Sequence, residues 1–290
     1  MTSCPKCESQ EIMKFGFNYY KEKKIQKYKC SSCNKIFSYH NRIPKTSVPS
    51  EVISLCFDLY LKGLSYRVIK QQLLEQFNLK VSHNTIYYWM QTYTKIIKKY
   101  TDSLEPELSA VWQMDETFIT FKGKGKPNKI ELSDGSWCWV CIDTVTRFVL
   151  AMHLACDKGF LSGNIFFKKI KEYTSYKPQV IVSDGNPTYR QCTKIHYPKA
   201  SHSIIKAISI KPNTSFIERF NGTIKNRTKT MRCFDSFGSC QTTMDAFQIY
   251  YNFLRPHMAL DGKTPAQVAG ISANFPNRWV SLIKKSLLFS

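Results

Sequence analysis

The sequence predicts an α/β protein whose mixed sheet with flanking helices is preceded by a zinc ribbon and a helix-turn-helix domain. Paired cysteines open the chain, helical periodicity with capping residues follows, and strand-like runs begin near residue 110. Strands that first form a meander and then alternate with helices indicate a mixed sheet covered by helices. We therefore divide the chain into a ribbon at 1–45, a helix-turn-helix domain at 46–104, a sheet domain at 105–275 and a C-terminal tail helix at 276–290.

The zinc ribbon is predicted from two Cys-x-x-Cys pairs separated by 22 residues. Two such pairs supply four thiolates to one tetrahedral zinc ion, which leaves no open coordination position and indicates a structural site. About 45 residues bury too little apolar surface to fold alone, so the metal supplies the folding free energy. The intervening FGFNYYKEKKIQKYKC predicts a β-hairpin, whose lysines either meet phosphates or face water. The predicted zinc ligands are Cys4, Cys7, Cys30 and Cys33.

Three short helices are predicted after a linker, NRIPKTSVPS. Gly63 ends the first helix, while Ser65 and Ser82 can cap the second and third. Short helices joined by tight turns in a basic segment favour a helix-turn-helix, although a plain helical bundle stays open. The start of the third helix would then reach a DNA major groove. Its candidate contact residues are His83, Asn84, Thr85, Tyr87 and Tyr88.

The charge of the chain is strongly basic and unevenly distributed. Of the formal net charge of +21, residues 1–100 carry +11, residues 101–200 carry +2 and residues 201–290 carry +8. This surplus indicates nucleic acid as a partner. General solubility is the alternative, but a solubilising surface does not require charges of one sign.

The apolar and cysteine patterns indicate a cytoplasmic protein. No segment reaches the roughly 18 continuous apolar residues of a membrane span, and MTSCPKCESQ has no signal-peptide core. The cysteines number eleven and lie mostly in apolar runs, which favours reduced thiols over a disulfide framework. A further pair, Cys138 and Cys141, lies in a strand-like run and is predicted to pack in the core, because residues three apart on a strand face opposite ways.

Three acidic residues occupy positions that suit a metal site. Asp115 lies within the strand-like AVWQMDETFITFK, Asp184 closes the buried run PQVIVSD, and Glu218 lies in a helical stretch. Carboxylate oxygens are the ligands that Mg²⁺ prefers, and two metals roughly 3.5–4 Å apart can activate both oxygens of a phosphodiester exchange. We choose Asp115 over Glu116, because adjacent residues of a regular strand face opposite ways. If the strands of Asp115 and Asp184 are neighbours, both carboxylates can share a metal.

The helix around Glu218 also presents basic residues. An apolar stripe runs through Ile217, Phe220, Ile224 and Met231, whereas Glu218, Asn221 and Lys225 form a second stripe. Glu218 and Lys225 therefore share a face about 10 Å apart along the axis. The carboxylate can ligate metal while Lys225 holds a phosphate. Arg219 and Arg227 add basic flanks and are further candidate DNA contacts.

These stretches resemble the DDE transposases of insertion sequences, most closely the insertion-sequence-six group of the retroviral-integrase-like superfamily. The resemblance covers about residues 45–270, and 33 residues separate Asp184 from Glu218, close to the interval of that group. The two C-terminal stretches are the most specific. The matching stretches are WQMDET, SDG, NTSFIERFNGTIKNRTKTMRCF and YNFLRPHMALDGKTPAQVAG.

The resemblance implies an RNase H-like catalytic domain at 105–275 that cuts and joins double-stranded DNA at terminal inverted repeats. It implies Asp115, Asp184 and Glu218 as ligands of two Mg²⁺ or Mn²⁺ ions, and Lys225 as a further catalytic residue. Arg219 and Asn221 are implied as contacts near that site. It also implies a homo-oligomer, at least a dimer, that pairs two DNA ends in association with the nucleoid.

Two other functions are compatible with the residues. A structure-specific nuclease would use the same carboxylates to hydrolyse DNA without joining it. A DNA-binding regulator derived from a transposase would cut nothing, but a pure binder has no need of acidic groups beside a polyanion. His257 is predicted to pack or cap rather than to bind metal, because it follows a proline after an aromatic helix.

Overall fold

The computed structural model describes most of the chain. The described residues are 4, 7, 9–20, 23–38, 48–121, 135–204, 215–231, 234, 236–271 and 278–289. Most of the predicted linker at 41–50 and the predicted turn at 122–129 lie outside them. Among the described residues, no helix combines the length and apolar character that crossing a membrane requires.

The N-terminal strands form the predicted hairpin. Strands β1 (Ile12–Tyr20), β2 (Lys23–Cys30) and β3 (Ile36–Ser38) make an antiparallel sheet in the order β1-β2-β3. A small hydrophobic cluster of Cys4, Cys30 and Phe37 lies beneath the strands, separate from the main core. The ribbon therefore buries little apolar surface in its own cluster, as the zinc prediction assumed.

Of the three helices that follow the ribbon, the first ends and the other two begin at the predicted residues. Gly63 ends the first helix with φ of +126°, a backbone conformation that glycine adopts without steric cost. The Ser65 hydroxyl accepts from the backbone N–H of Val68 at 3.3 Å, and the Ser82 hydroxyl accepts from that of Thr85 at 3.0 Å. Both serines are thus N-caps, as predicted. The helices are α1 (Ser50–Lys62), α2 (Tyr66–Phe77) and α3 (His83–Thr101).

A five-stranded mixed sheet forms the centre of the protein, which confirms the predicted α/β class. Its order is β6-β5-β4-β7-β8, with β4, β5 and β6 antiparallel and β4, β7 and β8 parallel. The strands are β4 (Val111–Thr120), β5 (Gly135–Asp143), β6 (Val149–Ala155), β7 (Val180–Ser183) and β8 (Ser201–Ile204). The helices after β6 are α4 (Phe160–Tyr173), α5 (Pro187–His196), α6 (Ser215–Thr230), α7 (Phe237–Ile249), α8 (Pro265–Val268) and α9 (Arg278–Phe289), with a π-helical turn at Tyr250–Leu254 and a 3₁₀ turn at Met258–Leu260.

The two faces of the sheet carry different helices. On one face, the Trp139 ring packs against Tyr189 of α5 with centroids 5.3 Å apart, and against Phe166 of α4. On the other face, the Gln113 side chain accepts from the backbone N–H of Ile217 in α6 at 3.2 Å. Successive residues of β4 alternate between these two helical layers.

The helical segment and the sheet share one hydrophobic cluster. Helix α9 contributes to it by packing on the helical segment, with the Trp279 and Phe57 rings 4.9 Å apart. The rings of Phe289 and Tyr100 lie 5.6 Å apart at its other end. The tail helix thus completes the packing of α1 and α3, and the domain boundaries given above stay a prediction.

Candidate active site and zinc site

The register of two parallel strands brings two of the predicted acidic residues together. Gln113 of β4 pairs with Val182 of β7, so two residues further on Asp115 comes level with Asp184. Strand β7 ends at Ser183, and Asp184 is exposed at the carboxyl edge of the sheet. Strands β4 and β7 are neighbours, which is the condition under which Asp115 and Asp184 can share a metal.

A third carboxylate joins them, and it is not the predicted one. Oxygens of Asp115, Glu116 and Asp184 all lie within 4.8 Å of one another. The expectation that Asp115 and Glu116 could not serve one site is wrong. Their side chains do leave opposite faces of β4. Because β7 ends at Ser183, the long Glu116 side chain reaches the cluster around the strand end.

Asn186 connects Glu116 to the turn that presents Asp184. Its side-chain Nδ2 donates to Glu116 Oε1 at 2.8 Å, and its backbone N–H donates to Asp184 Oδ1 at 3.0 Å. Its Oδ1 accepts from the backbone N–H of Thr188 at 3.0 Å and caps α5. One residue therefore ties strand β4, the Asp184 turn and helix α5 together.

The second oxygen of Glu116 is buried without a bonded partner. Glu116 is 7% exposed, and its Oε2 forms no hydrogen bond among the described residues. The fully buried Tyr189 hydroxyl lies near it but outside hydrogen-bonding geometry. Burying an oxygen without a partner is costly, so a cation at this cluster would stabilise the arrangement. The donor set of hard oxygens fits a divalent metal.

Helix α6 brings Asn221 onto Asp115. Asn221 Nδ2 donates to Asp115 Oδ2 at 2.8 Å, and the Asn221 side chain is buried. Glu218 lies one turn earlier on the same face and is exposed, as is Lys225 one turn later. Among the described residues, the Glu218 carboxylate is not part of the 4.8 Å cluster. Its role as a third ligand, and that of Lys225, stay predictions.

Burial and charge act on the clustered carboxyl groups in opposite directions. Burial raises the pKa of Asp115 above 3.8, and the nearby Asp184 charge raises it further, whereas the Asn221 hydrogen bond and Lys158 lower it. Burial likewise raises the pKa of Glu116, while the Asn186 hydrogen bond and Lys158 lower it. The net direction is upward for both, because removing a carboxylate from water disfavours its charged form.

Lys158 is a residue of this site that sequence reasoning did not find. Its Nζ lies 4.0 Å from the centroid of the Trp137 ring, and its charge acts on both buried carboxyl groups. Its backbone carbonyl accepts from the Thr188 hydroxyl at 3.0 Å. The only signal in the sequence was its place in the loop before α4, at the same edge of the sheet.

The four predicted zinc ligands meet in one cluster. Their sulfur atoms all lie within 4.8 Å of one another. Cys4 Sγ and Cys33 Sγ are 3.5 Å apart, as are Cys7 Sγ and Cys30 Sγ. A tetrahedral zinc with bonds of about 2.3 Å requires sulfur separations of about 3.8 Å. The cluster therefore fits zinc. Cys138 and Cys141 are fully buried in the sheet, as predicted.

The predicted DNA contacts of α3 differ in how far their side chains are exposed. Asn84 and Tyr88 are exposed, the latter at 66%. His83 is half-buried. Tyr87 packs edge-on against Tyr66 with centroids 5.9 Å apart, and the Thr85 hydroxyl hydrogen-bonds that of the capping Ser82.

The two predicted arginine contacts differ more sharply. Arg219 is exposed, but Arg227 is 8% exposed. The Arg227 guanidinium donates to the Tyr60 backbone carbonyl and, at 2.9 Å, to the Thr230 hydroxyl. It also lies 4.8 Å from the Tyr60 ring centroid. This position does not fit the predicted DNA contact, because its donors join α6 to α1 inside the protein.

Comparisons with known proteins agree with these features. The family model described as "Integrase core domain" matches residues 202–265. A transposase for the insertion sequence-like element IS431mec of Staphylococcus aureus strain Mu50 is 28% identical over 69% of this chain and 83% of its own length. The chain is similar to insertion-sequence transposases. The transposase for the element IS257 in transposon Tn4003, also of Staphylococcus aureus, has the same identity and coverage. The resemblance to this transposase group, inferred from sequence, is confirmed.

Solved structures that the chain matches include retroviral integrases. The HTLV-2 integrase catalytic core domain in complex with magnesium has a TM-score of 0.39 and 21% identity, covering 57% of this chain and 97% of that one. A chain from the structure of the simian T-cell lymphotropic virus intasome in complex with the PP2A regulatory subunit B56 gamma has a TM-score of 0.42 and 17% identity. It covers 60% of this chain and 59% of that one.

Proposed function

We propose that this protein is a DNA transposase that cuts and joins DNA at the terminal inverted repeats of an insertion sequence. The observation that carries this function is the carboxylate cluster at the sheet edge, where oxygens of Asp115 and Asp184 lie within 4.8 Å in a chain of net charge +21. The similarity to two proteins that are named as transposases supports the same conclusion. The sheet and its helices would constitute an RNase H-like catalytic domain.

The proposed ligands of two Mg²⁺ or Mn²⁺ ions are Asp115, Asp184 and Glu218. When bound, such ions would activate the attacking oxygen and stabilise the leaving oxygen of a phosphodiester. Asn221 fixes the orientation of Asp115 through its 2.8 Å hydrogen bond. Lys225, exposed on the face of α6 that carries Glu218, would hold a phosphate of the bound strand.

No side chain is needed as a covalent nucleophile. Tyr189, the tyrosine nearest in sequence to Asp184, is 0% exposed and packs against Trp139 with centroids 5.3 Å apart. It therefore has no path to a DNA backbone. A transesterification in which water and then a DNA 3′-hydroxyl attack the phosphodiester suits this arrangement.

The N-terminal segments would position the DNA. The cysteine cluster would hold one structural Zn²⁺, and α2 and α3 would act as a helix-turn-helix whose exposed Asn84 and Tyr88 reach a major groove. A homo-oligomer, at least a dimer, would pair two element ends. We infer a place in the cytoplasm, on the nucleoid.

The function is tested by incubating the protein with the DNA that flanks its own gene and with Mg²⁺. Wild type should yield both nicked ends and joined products. Asp115→Asn and Asp184→Asn should each lower both by about 10³-fold, which corresponds to several kcal/mol of lost transition-state stabilisation. Asp261→Asn is the matched control, because Asp261 is exposed and has φ of +53°, a conformation that asparagine tolerates.

Three results would contradict the proposal. Nicked ends without joined products would indicate a nuclease. DNA binding without Mg²⁺-dependent cleavage would indicate a regulator. Full activity of Glu218→Gln would remove Glu218 from the ligand set and leave Glu116 as the third carboxylate.

A further inference from the structure

Three arginines from separate parts of the chain line one small cavity beside α6. Arg147 comes from the turn between β5 and β6, Arg219 from α6, and Arg255 from the segment after the π-helical turn. Tyr251 and His257 are among the other lining residues, and the cavity has a volume of about 100 Å³. Neither Arg147 nor Arg255 was predicted from the sequence as a site residue.

Neighbouring groups orient the Arg147 guanidinium and fix the backbone at Arg255. Arg147 has φ of +58°, and its guanidinium carbon lies 4.7 Å from the centroid of the Phe216 ring. The backbone N–H of Arg255 donates to the Tyr250 carbonyl at 2.8 Å. The rings of Tyr251 and His257 meet edge-on with centroids 4.4 Å apart. The cavity is thus a built pocket of packed aromatic rings and guanidinium groups.

The positive charges in this pocket are not balanced by nearby acidic groups. Among the described residues, Arg147, Arg219 and Arg255 form no ion pair with any Asp or Glu. Arg147 and Arg255 are half-buried, so solvent screens their mutual repulsion less than it would on an open surface. An anion between the three guanidinium groups would offset that repulsion.

We propose that this pocket binds one phosphate group of the DNA backbone. Guanidinium forks match the geometry of phosphate oxygens, which favours a phosphate over a single-atom anion. The cavity, of about 100 Å³, has room for one phosphate group. Arg219 follows Glu218 directly on α6. The pocket and Glu218 thus lie on neighbouring parts of α6, so the bound phosphate would belong to the same stretch of DNA as the phosphodiester being cut. This assignment rests on the proposed function.

The pocket is tested by measuring DNA affinity against salt concentration, without Mg²⁺. Arg147→Asn and Arg255→Gln should each weaken binding about tenfold, the loss expected for a hydrogen bond to a charged group. Because both arginines hold the same phosphate, the double variant should lower the slope of log K against log salt by about 0.9, the value for one phosphate, and not by twice that amount. Arg190→Gln, an exposed arginine on α5, is the control and should change neither quantity.

Binding of inorganic phosphate distinguishes the two sources of this ligand. A thermal shift with phosphate that both variants lose, together with DNA binding that neither variant weakens, would assign the pocket to free phosphate and overturn the DNA assignment. Unchanged DNA affinity and slope in variants of normal melting temperature would also overturn it. Cleavage is measured separately, so a slope that falls while no product forms would contradict the transposase function and leave the pocket standing.

Discussion

The cysteine cluster and the carboxylate cluster are both candidate metal sites, but they assemble in different ways. The cysteine cluster comes from two short knuckles on one hairpin, and all four predicted ligands are in it. The carboxylate cluster comes from a strand and a turn nearly 70 residues apart in sequence, and one of its three members was not predicted. Local spacing fixes the first site, whereas sheet register and the length of β7 decide the second.

The two sites also differ in what surrounds them. The ribbon has its own small hydrophobic cluster, separate from the main core. Two of the carboxylates, Asp115 and Glu116, lie on the central strand of the main sheet, where Asn221 and Asn186 each bond one of them. Disturbing the first site should therefore affect the ribbon and the end of α9, whose Leu288 packs against the ribbon's cluster. The second site depends on neighbours that bind no metal themselves.

The largest effect is expected from removing a zinc ligand. Cys30→Ser should abolish zinc binding, whose apparent free energy in small zinc domains is about 10–16 kcal/mol, and should unfold residues 9–38. The zinc content of the variant measures the loss of binding, and hydrogen exchange measures the unfolding. The main core should melt as in wild type. Cys156→Ser, an exposed cysteine outside the cluster, is the control. Retained zinc, or melting of the whole protein, would contradict the separation of the two sites.

A smaller effect is expected from the residues that hold the Asp184 turn. Glu116→Ala and Asn186→Ala should each weaken Mn²⁺ binding about tenfold, as partners of metal ligands do. Glu116→Gln keeps an oxygen that accepts from Asn186 and should stay within about twofold of wild type. Paramagnetic resonance of bound Mn²⁺ measures the affinity without relying on activity.

The Glu116→Gln variant shows whether Glu116 binds the metal itself or acts only through its hydrogen bond with Asn186. If Glu116→Gln loses as much affinity as Glu116→Ala while Asn186→Ala loses little, Glu116 is itself a ligand. If none of the three changes Mn²⁺ binding, the hydrogen bonds of Asn186 are structural only.

The smallest effect concerns stability against pH. The folded pKa of Asp115 is raised above 3.8, so without metal its ionised carboxylate destabilises the fold above that raised pKa. Asp115→Asn should then raise Tm at pH 7 by roughly 2–4 °C, the shift that about 1 kcal/mol produces in a protein of this size. The gain should vanish below the unfolded pKa, where both states are protonated.

Calorimetry from pH 3 to 8 without divalent metal measures this difference, with Asp261→Asn as the control. A gain that is constant with pH would place its origin in new hydrogen bonding, because the introduced amide can donate to Asn221 Oδ1, which forms no hydrogen bond among the described residues. A loss of stability at pH 7 would contradict the burial cost.

The elements of the fold were largely predictable because local signals marked them. Ser65, Ser82 and Gly63 fixed the helix ends, and apolar runs marked β4 to β7. Strand β8 was not predicted, since its four residues, Ser201–Ile204, carry two serines and a histidine and are mostly exposed. Its place depends on parallel pairing with β7, which no local pattern reveals.

The site was only partly predictable because side-chain reach and helix packing are not local. Alternation along β4 correctly separates Asp115 from Glu116 by face, but the end of β7 at Ser183 lets their oxygens meet. Arg227 fits a basic flank in sequence, yet the packing of α6 on α1 buries it. Whether two carboxylates meet or an arginine is buried depends on which strands and helices pack together. The spacing of residues along the sequence does not reveal that packing.

The packing of α9 on the helical segment has a consequence for biosynthesis. Domains made first generally begin to fold first as the polypeptide leaves the ribosome. Phe57 of α1 emerges early, but Trp279, whose ring lies 4.9 Å from it, is translated only after the complete sheet. The apolar surface of α1 and α3 thus remains open on the nascent polypeptide, and these helices acquire their full support only once the sheet has been made.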